Sequence, residues 1–256
     1  MPYAASGPAS IYYETHGDGP ALAFAHGRGG NAASWWQQVP VFAQCYKAVV
    51  FDHRCFGRSA CPIEAFDREQ FDADLCAVLD AEGIERTAIV CQSMGGWTGL
   101  RMALRHPDRV SCLVLSNTPG GVDTPAVRDA LTQARAEFAA KGVGSAAVAE
   151  DFPDRAPEAA FLYTQITGLN LQASEALEHG GPVWVAVEEL QQLAVPTLFV
   201  TSDQDQLFPL AVIEEIAAAA PGAELAVLPG AGHSPYFEIP KRFNDTIAPF
   251  LEQHIS

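Results

Sequence analysis

Short apolar runs alternate along this chain with longer segments whose apolar residues recur every three to four positions. Residues 11–15, 21–25, 48–51, 88–91, 110–115, 197–201 and 224–228 form the short runs, and each predicts a strand. The spacing of Phe71, Leu75, Val78 and Leu79 predicts an amphipathic helix over 67–82, closed by Gly83. Trp97, Leu100 and Leu104 share a helical face that ends at Pro107. Residues 34–44 read as a helix capped by Ser34, although Pro40 interrupts it. Further helices are expected over 210–220 and at the end of the chain, where Phe243, Ile247, Phe250 and Leu251 line up. Asp18-Gly19, between the first two runs, predicts a hairpin. Strands alternating with helices imply an α/β fold, a mostly parallel sheet covered on both faces.

The alternation lapses between 120 and 193. Thr124-Pro125 is a helix start, followed by a stripe of Val127, Leu131, Ala134 and Phe138 that ends at Gly142. Pro157 and Glu158 open a second helix carrying Phe161, Leu162, Ile166 and Leu169. Residues 182–193 are read as helical as well. The expected organisation is a core of residues 1–119 and 194–256, with residues 120–193 inserted as a helical cap over the carboxyl ends of the strands.

Composition narrows the partners. Nearly half of the 256 residues are apolar, so the core can be large, and the net charge of −16 disfavours nucleic acid and anionic membranes. The six cysteines lack the spacing of a zinc site or a disulfide framework, so no metal is expected. No stretch is apolar over the length of a membrane span, and no basic segment precedes an apolar one at the start. A cytoplasmic protein is therefore expected, and its oligomeric state is not legible.

The chemistry gathers at the ends of the strands. Residues 88–91 lead through Gln92-Ser93-Met94-Gly95-Gly96 straight into a helix, leaving room only for a tight turn with Ser93 at its apex. This is the G-x-S-x-G pattern with Cys91 in place of its first glycine. A helix cap would also use a serine, so the case rests on partners. Asp203 or Asp205 follows the strand 197–201, and His233 follows the strand 224–228, in Gly230-Ala231-Gly232-His233. Parallel sheets place their sites at this edge. A serine hydroxyl needs a base to take its proton, and a carboxylate behind an imidazole fixes the ring's tautomer. Asn117, after the preceding strand, is not acidic. Two backbone N–H groups must meet the oxyanion, and those of Met94 and Arg28 are expected to do so. Arg28 stands in the glycine-rich loop His26-Gly27-Arg28-Gly29-Gly30, and its side chain could instead reach a substrate carboxylate or lie in solvent.

These residues resemble the α/β-hydrolase fold superfamily over nearly the whole chain. The matching stretches are the loop from His26 with Trp35 beyond it, Asp52-His53-Arg54 through Ser59, the Ser93 turn, Val195-Pro196-Thr197 through Asp205, and Gly232-His233-Ser234. Gln92 to Gly96 and Gly232 to Glu238 are similar to small esterases and to 3-oxoadipate enol-lactonases. The resemblance favours Asp205 as the acid, through its offset to Pro209. It implies a serine esterase or lactonase working without a cofactor on a small-molecule ester or lactone, with His26, Gly27 and Trp184 near the substrate. Hydrolases of carbon–carbon bonds and perhydrolases share the fold, and a non-catalytic small-ligand receptor is the reading from another class. Cys55 and Cys91 depart from the pattern, each replacing a glycine.

Overall fold

The computed structural model describes residues 2–179, 181 and 183–255. Eight strands form one sheet: β1 (Tyr3–Ser6), β2 (Ala9–His16), β3 (Ala21–Ala25), β4 (Lys47–Phe51), β5 (Thr87–Gln92), β6 (Val110–Ser116), β7 (Thr197–Ser202) and β8 (Glu224–Leu228). Their order is β1-β2-β4-β3-β5-β6-β7-β8, antiparallel over the first two pairings and parallel thereafter. Strands β5 and β6 are buried along their full length, as their unbroken apolar runs require.

The hairpin expected at Asp18-Gly19 does not form. Strand β4 lies between β2 and β3 and pairs with both, Val50 standing opposite Glu14 on one side and Phe24 on the other. A turn signal reports a change of direction and says nothing of which strand pairs next. The sheet's hairpin is β1 with β2, one element earlier.

The helix expected over 34–44 is also divided. Asn31, not Ser34, caps a short 3-10 turn, Ala32–Trp35, by accepting from the Ala33 N–H. Helix α1 (Val39–Phe42) then starts afresh with Pro40 in its first turn, where the missing N–H costs nothing. Helices α2 (Phe71–Ala81) and α3 (Gly95–Arg105) pack together, and α3 lies on β5 and β6.

Between β6 and β7 the chain is helical: α4 (Pro125–Lys141), α5 (Val143–Ala146), α6 (Phe152–Arg155), α7 (Pro157–Gly168), α8 (Ala173–His179) and α9 (Val187–Leu190). The Thr124 hydroxyl caps α4 by accepting from the Val127 N–H. In α7 the buried face is Tyr163 and Ile166. Phe161 and Leu169, read as part of the apolar stripe, are 67% and 60% exposed. Of the helix expected over 182–193 only α9 forms, and Pro182 lies outside the described residues. Val185 instead bridges to Val122, its N–H donating to the Gly121 carbonyl and its carbonyl accepting from Asp123. This clasp draws the two ends of the inserted segment together.

After β7 come α10 (Leu210–Ala219), then β8, α11 (Pro235–Glu238) and α12 (Pro240–His254). Helix α12 packs on β6 and β8 with Phe243, Ile247, Phe250 and Leu251 buried. No helix among the described residues is long and apolar enough to cross a membrane.

Candidate active site

Ser93 occupies the turn from β5 into α3 with φ of 50°, the left-handed region, which costs a residue with a side chain about 1 kcal/mol. Its N–H is held by the Ser116 carbonyl at 3.0 Å. The turn closes because Gly95 brings no Cβ: one there would stand 2.7 Å from the Ala25 carbonyl carbon and 3.0 Å from the His26 oxygen. Cys91 does not prevent this. Its side chain is fully buried, burial pushes its thiol up, and its sulfur fills the space over Gly99 on α3. The glycine absent from the strand is matched by one on the facing helix. Cys55, the other departure, adopts φ of 64°, the conformation that a glycine there would take freely.

Asp205 lies in the loop after β7 and is 8% exposed. One carboxylate oxygen accepts from the Leu207 and Phe208 N–H groups at 2.8 and 3.0 Å. The other accepts from Asn117 Nδ2 and pairs with His233 Nδ1, both at 2.9 Å. An acceptor at Nδ1 places the ring proton there and leaves a lone pair on Nε2. Asp203, the alternative acid, points elsewhere and accepts from the Gly230 N–H.

The loop carrying His233 is held from several sides. Gln92 Nε2 donates to the His233 carbonyl at 2.9 Å, tying it to the residue before Ser93. Ser202 donates to the Gly232 carbonyl. Glu238 accepts from the N–H groups of Gly232 and Ser234, and from Ala149 of the inserted segment. Among the described residues, neither the Ser93 hydroxyl nor His233 Nε2 has a hydrogen-bond partner, although Nε2 is buried. Nor do the Arg28 and Met94 N–H groups. Ser93, Met94 and Arg28 line one cleft together with Trp97, Phe138 and Phe208. A hydroxyl, an imidazole nitrogen and two N–H groups left without partners are the kinds of group that acyl transfer uses.

The other residues expected at the substrate fall differently. His26 is fully buried behind the loop, where its Nε2 accepts from the His53 N–H and its Nδ1 donates to the Gly27 carbonyl. Gly27 is buried with its Cα packed toward Ser93, where a Cβ would lie 3.1 Å from the serine Cβ. Trp184 is not among the cleft's lining residues; its ring lies 5.3 Å from the Arg128 guanidinium. Asn117, set aside because it is not acidic, is the residue that orients Asp205, and it does so from φ of 50° at the end of β6. Its position after a parallel strand was the available signal. No group of metal-binding side chains occurs among the described residues.

Residues 22–246 match the sequence model of the alpha/beta hydrolase family. The chain is 27% identical over 98% of its length, and 98% of the other's, to a protein of Azorhizobium caulinodans named carbamate hydrolase RutD. Among solved structures it resembles Est816, described as an N-acyl homoserine lactone degrading enzyme, with a TM-score of 0.84 and 27% identity over 97% of this chain and all of that one. It resembles the enol-lactonase of Burkholderia xenovorans with a TM-score of 0.83 and 25% identity, over 98% and 100%. Sheet order, strained serine turn and family match agree, and the chain belongs to the alpha/beta hydrolase family.

Proposed function

We propose that the protein hydrolyses a carboxylic ester or lactone through an acyl-enzyme on Ser93. The observation that carries this is the Asp205–His233 pair, which leaves Nε2 as the ring's lone-pair nitrogen, buried and without a partner among the described residues. Bonds between nucleophile and base are commonly long without substrate and tighten when it binds. The Ser93 oxygen attacks the substrate carbonyl while its proton passes to His233 Nε2. The N–H groups of Arg28 and Met94 receive the oxyanion, and Asp205 stabilises the imidazolium. Collapse breaks the bond to the alcohol oxygen, which leaves with that proton. Water then attacks the acyl carbonyl, giving its proton to His233, and Ser93 departs as the hydroxyl with the free acid released.

The lactone names of the solved relatives support this bond class. The carbamate name of the sequence relatives supports a second reading, since a carbamate carbonyl would meet the same groups. Turnover of p-nitrophenyl acetate with a burst, and capture of a phosphonate on the peptide bearing Ser93, are expected. Ser93→Ala should lower kcat by roughly three orders of magnitude with unchanged circular dichroism. A folded Ser93→Ala protein that keeps most of its activity refutes the assignment.

A further inference from the structure

Three arginines face the cleft beside Ser93. Arg28 comes from the glycine-rich loop, Arg68 from the turn before α2, and Arg135 from α4 of the inserted segment. The same three line the adjoining outer cavity. In a chain with 31 acidic and 15 basic residues, chance alone would surround any one cleft with carboxylates. Among the described residues lining these two cavities, the only carboxylate is Glu178, at the outer one.

Aromatic faces hold the cations in place. The Arg28 guanidinium lies 5.0 Å from the Phe138 ring, and Arg68 lies 5.9 Å from that of Trp97. Arg68 also donates to the carbonyls of Gly181 and Leu177 at 2.6 and 3.3 Å. No carboxylate lies within ion-pair distance of Arg28 or Arg135 among the described residues. Burial, and then the neighbouring Arg135, push the Arg28 guanidinium down; burial, and then Arg28 and Arg135, push Arg68 down to about 10. Glu178 and Asp67 offset this only in part. Like charges facing one partly desolvated cleft are costly until an anion joins them.

We propose that the substrate carries a carboxylate, which Arg28, Arg68 and Arg135 bind while an apolar spacer runs back along the cleft to the ester carbonyl at Ser93. The inference rests on the hydrolase reading and adds the substrate's charge. A guanidinium presents paired N–H groups to a carboxylate, and Trp97, Leu131, Phe138 and Phe208 supply apolar wall between the cations and the serine. The alcohol portion, the acyl portion or both could bear the acid, and substrates separate these cases.

The test follows acid release in a pH-stat with two matched pairs: monomethyl adipate against dimethyl adipate, and 4-acetoxybutyrate against its methyl ester. In at least one pair the acid should be preferred in kcat/KM by about tenfold or more. Arg135→Gln, at an exposed helical position, and Arg28→Gln should each lower that ratio several-fold, and added salt should lower it in the wild type. Calorimetry on Ser93→Ala should show adipate binding that Arg135→Gln weakens. A ratio near one in both pairs, with hydrolysis still lost in Ser93→Ala, overturns the anion site and leaves the serine mechanism standing. Hydrolysis that survives in folded Ser93→Ala overturns the mechanism, and calorimetry then decides the anion site alone. Phosphate bound in place of adipate would refute the carboxylate.

Discussion

The contact between Cys91 and Gly99 sets the spacing of the strand and helix that flank Ser93, and it can be tested by exchange. In an open helix, Gly99→Ala would gain about 1 kcal/mol from propensity. Here the added methyl would overlap Cys91 Sγ and stand 2.7 Å from Leu113 Cδ1, and both neighbours are fully buried. Overpacking of a tight core costs about 1–3 kcal/mol, and a sulfur fixed on a central strand puts this site at the upper end. The net loss for Gly99→Ala should be about 2 kcal/mol. Cys91→Gly alone loses buried packing and adds strand flexibility, for about 2 kcal/mol more. In the double variant the methyl enters the space that the sulfur vacates, so the loss should fall about 2 kcal/mol short of the sum. Urea unfolding followed by circular dichroism gives the three values by linear extrapolation. Activity should follow the same pattern, because a wider strand–helix gap moves Ser93. Losses that add within about 0.5 kcal/mol would show that the two positions do not share this space.

Four further outcomes are expected. Asp205→Asn should lower kcat at least a hundredfold while Asp203→Asn stays within a few-fold, and equal losses would show that the wrong acid has been assigned. Asn117→Ala frees one Asp205 oxygen from a donor and should lower kcat about tenfold with little change in KM; an effect confined to KM would place Asn117 at the substrate instead. Burial pushes His26 down to about 4, against about 6.5 unfolded, so the folded protein holds it neutral while the unfolded chain takes up a proton. Its contribution is complete above pH 6.5 and about 3 kcal/mol is lost as pH falls to 4, so urea midpoints should drop over that range and drop less in His26→Asn; parallel curves would discount the histidine. Glu238→Gln keeps the acceptor but loses the charge facing Arg155 at 3.0 Å and three N–H groups, and should lower the melting temperature by several degrees, which a scan with no shift would contradict.

The sheet and the serine turn were legible because their signals are local. A buried parallel strand is an unbroken apolar run, and Gly95 and Gly96 mark a turn wherever the rest of the chain goes. What was misread depends on distant partners. Asp18-Gly19 announces a turn, but β4, contributed some thirty residues later, inserts between β2 and β3 so that they do not pair. The position of Asn117 after a parallel strand signals the site edge, but nothing local names its partner, a residue 88 positions on. Phe161 and Leu169 have helical spacing, yet Tyr163 and Ile166 take the buried face, with the Tyr163 hydroxyl bonded to Ser234, a partner 71 positions on that local spacing does not reveal. The three arginines come from three separate segments, and only the fold brings them to one cleft.

The bonds from Ala149, Arg155 and Tyr163 to the turn around His233 have a bearing on protein engineering. In a modular enzyme, a specificity segment can be exchanged between relatives as an independent part. Here that segment supplies an N–H, a guanidinium and a phenol that hold the loop of His233. A transplanted segment lacking counterparts to these three would leave Glu238 short of donors and His233 on a looser support, whatever pocket it brought. Recombination would then look like failed substrate design when the fault lay in the support of His233. Chimeras should therefore carry Ala149, Arg155 and Tyr163 across the junction together with Ser234 and Glu238, treating the five as one heritable block.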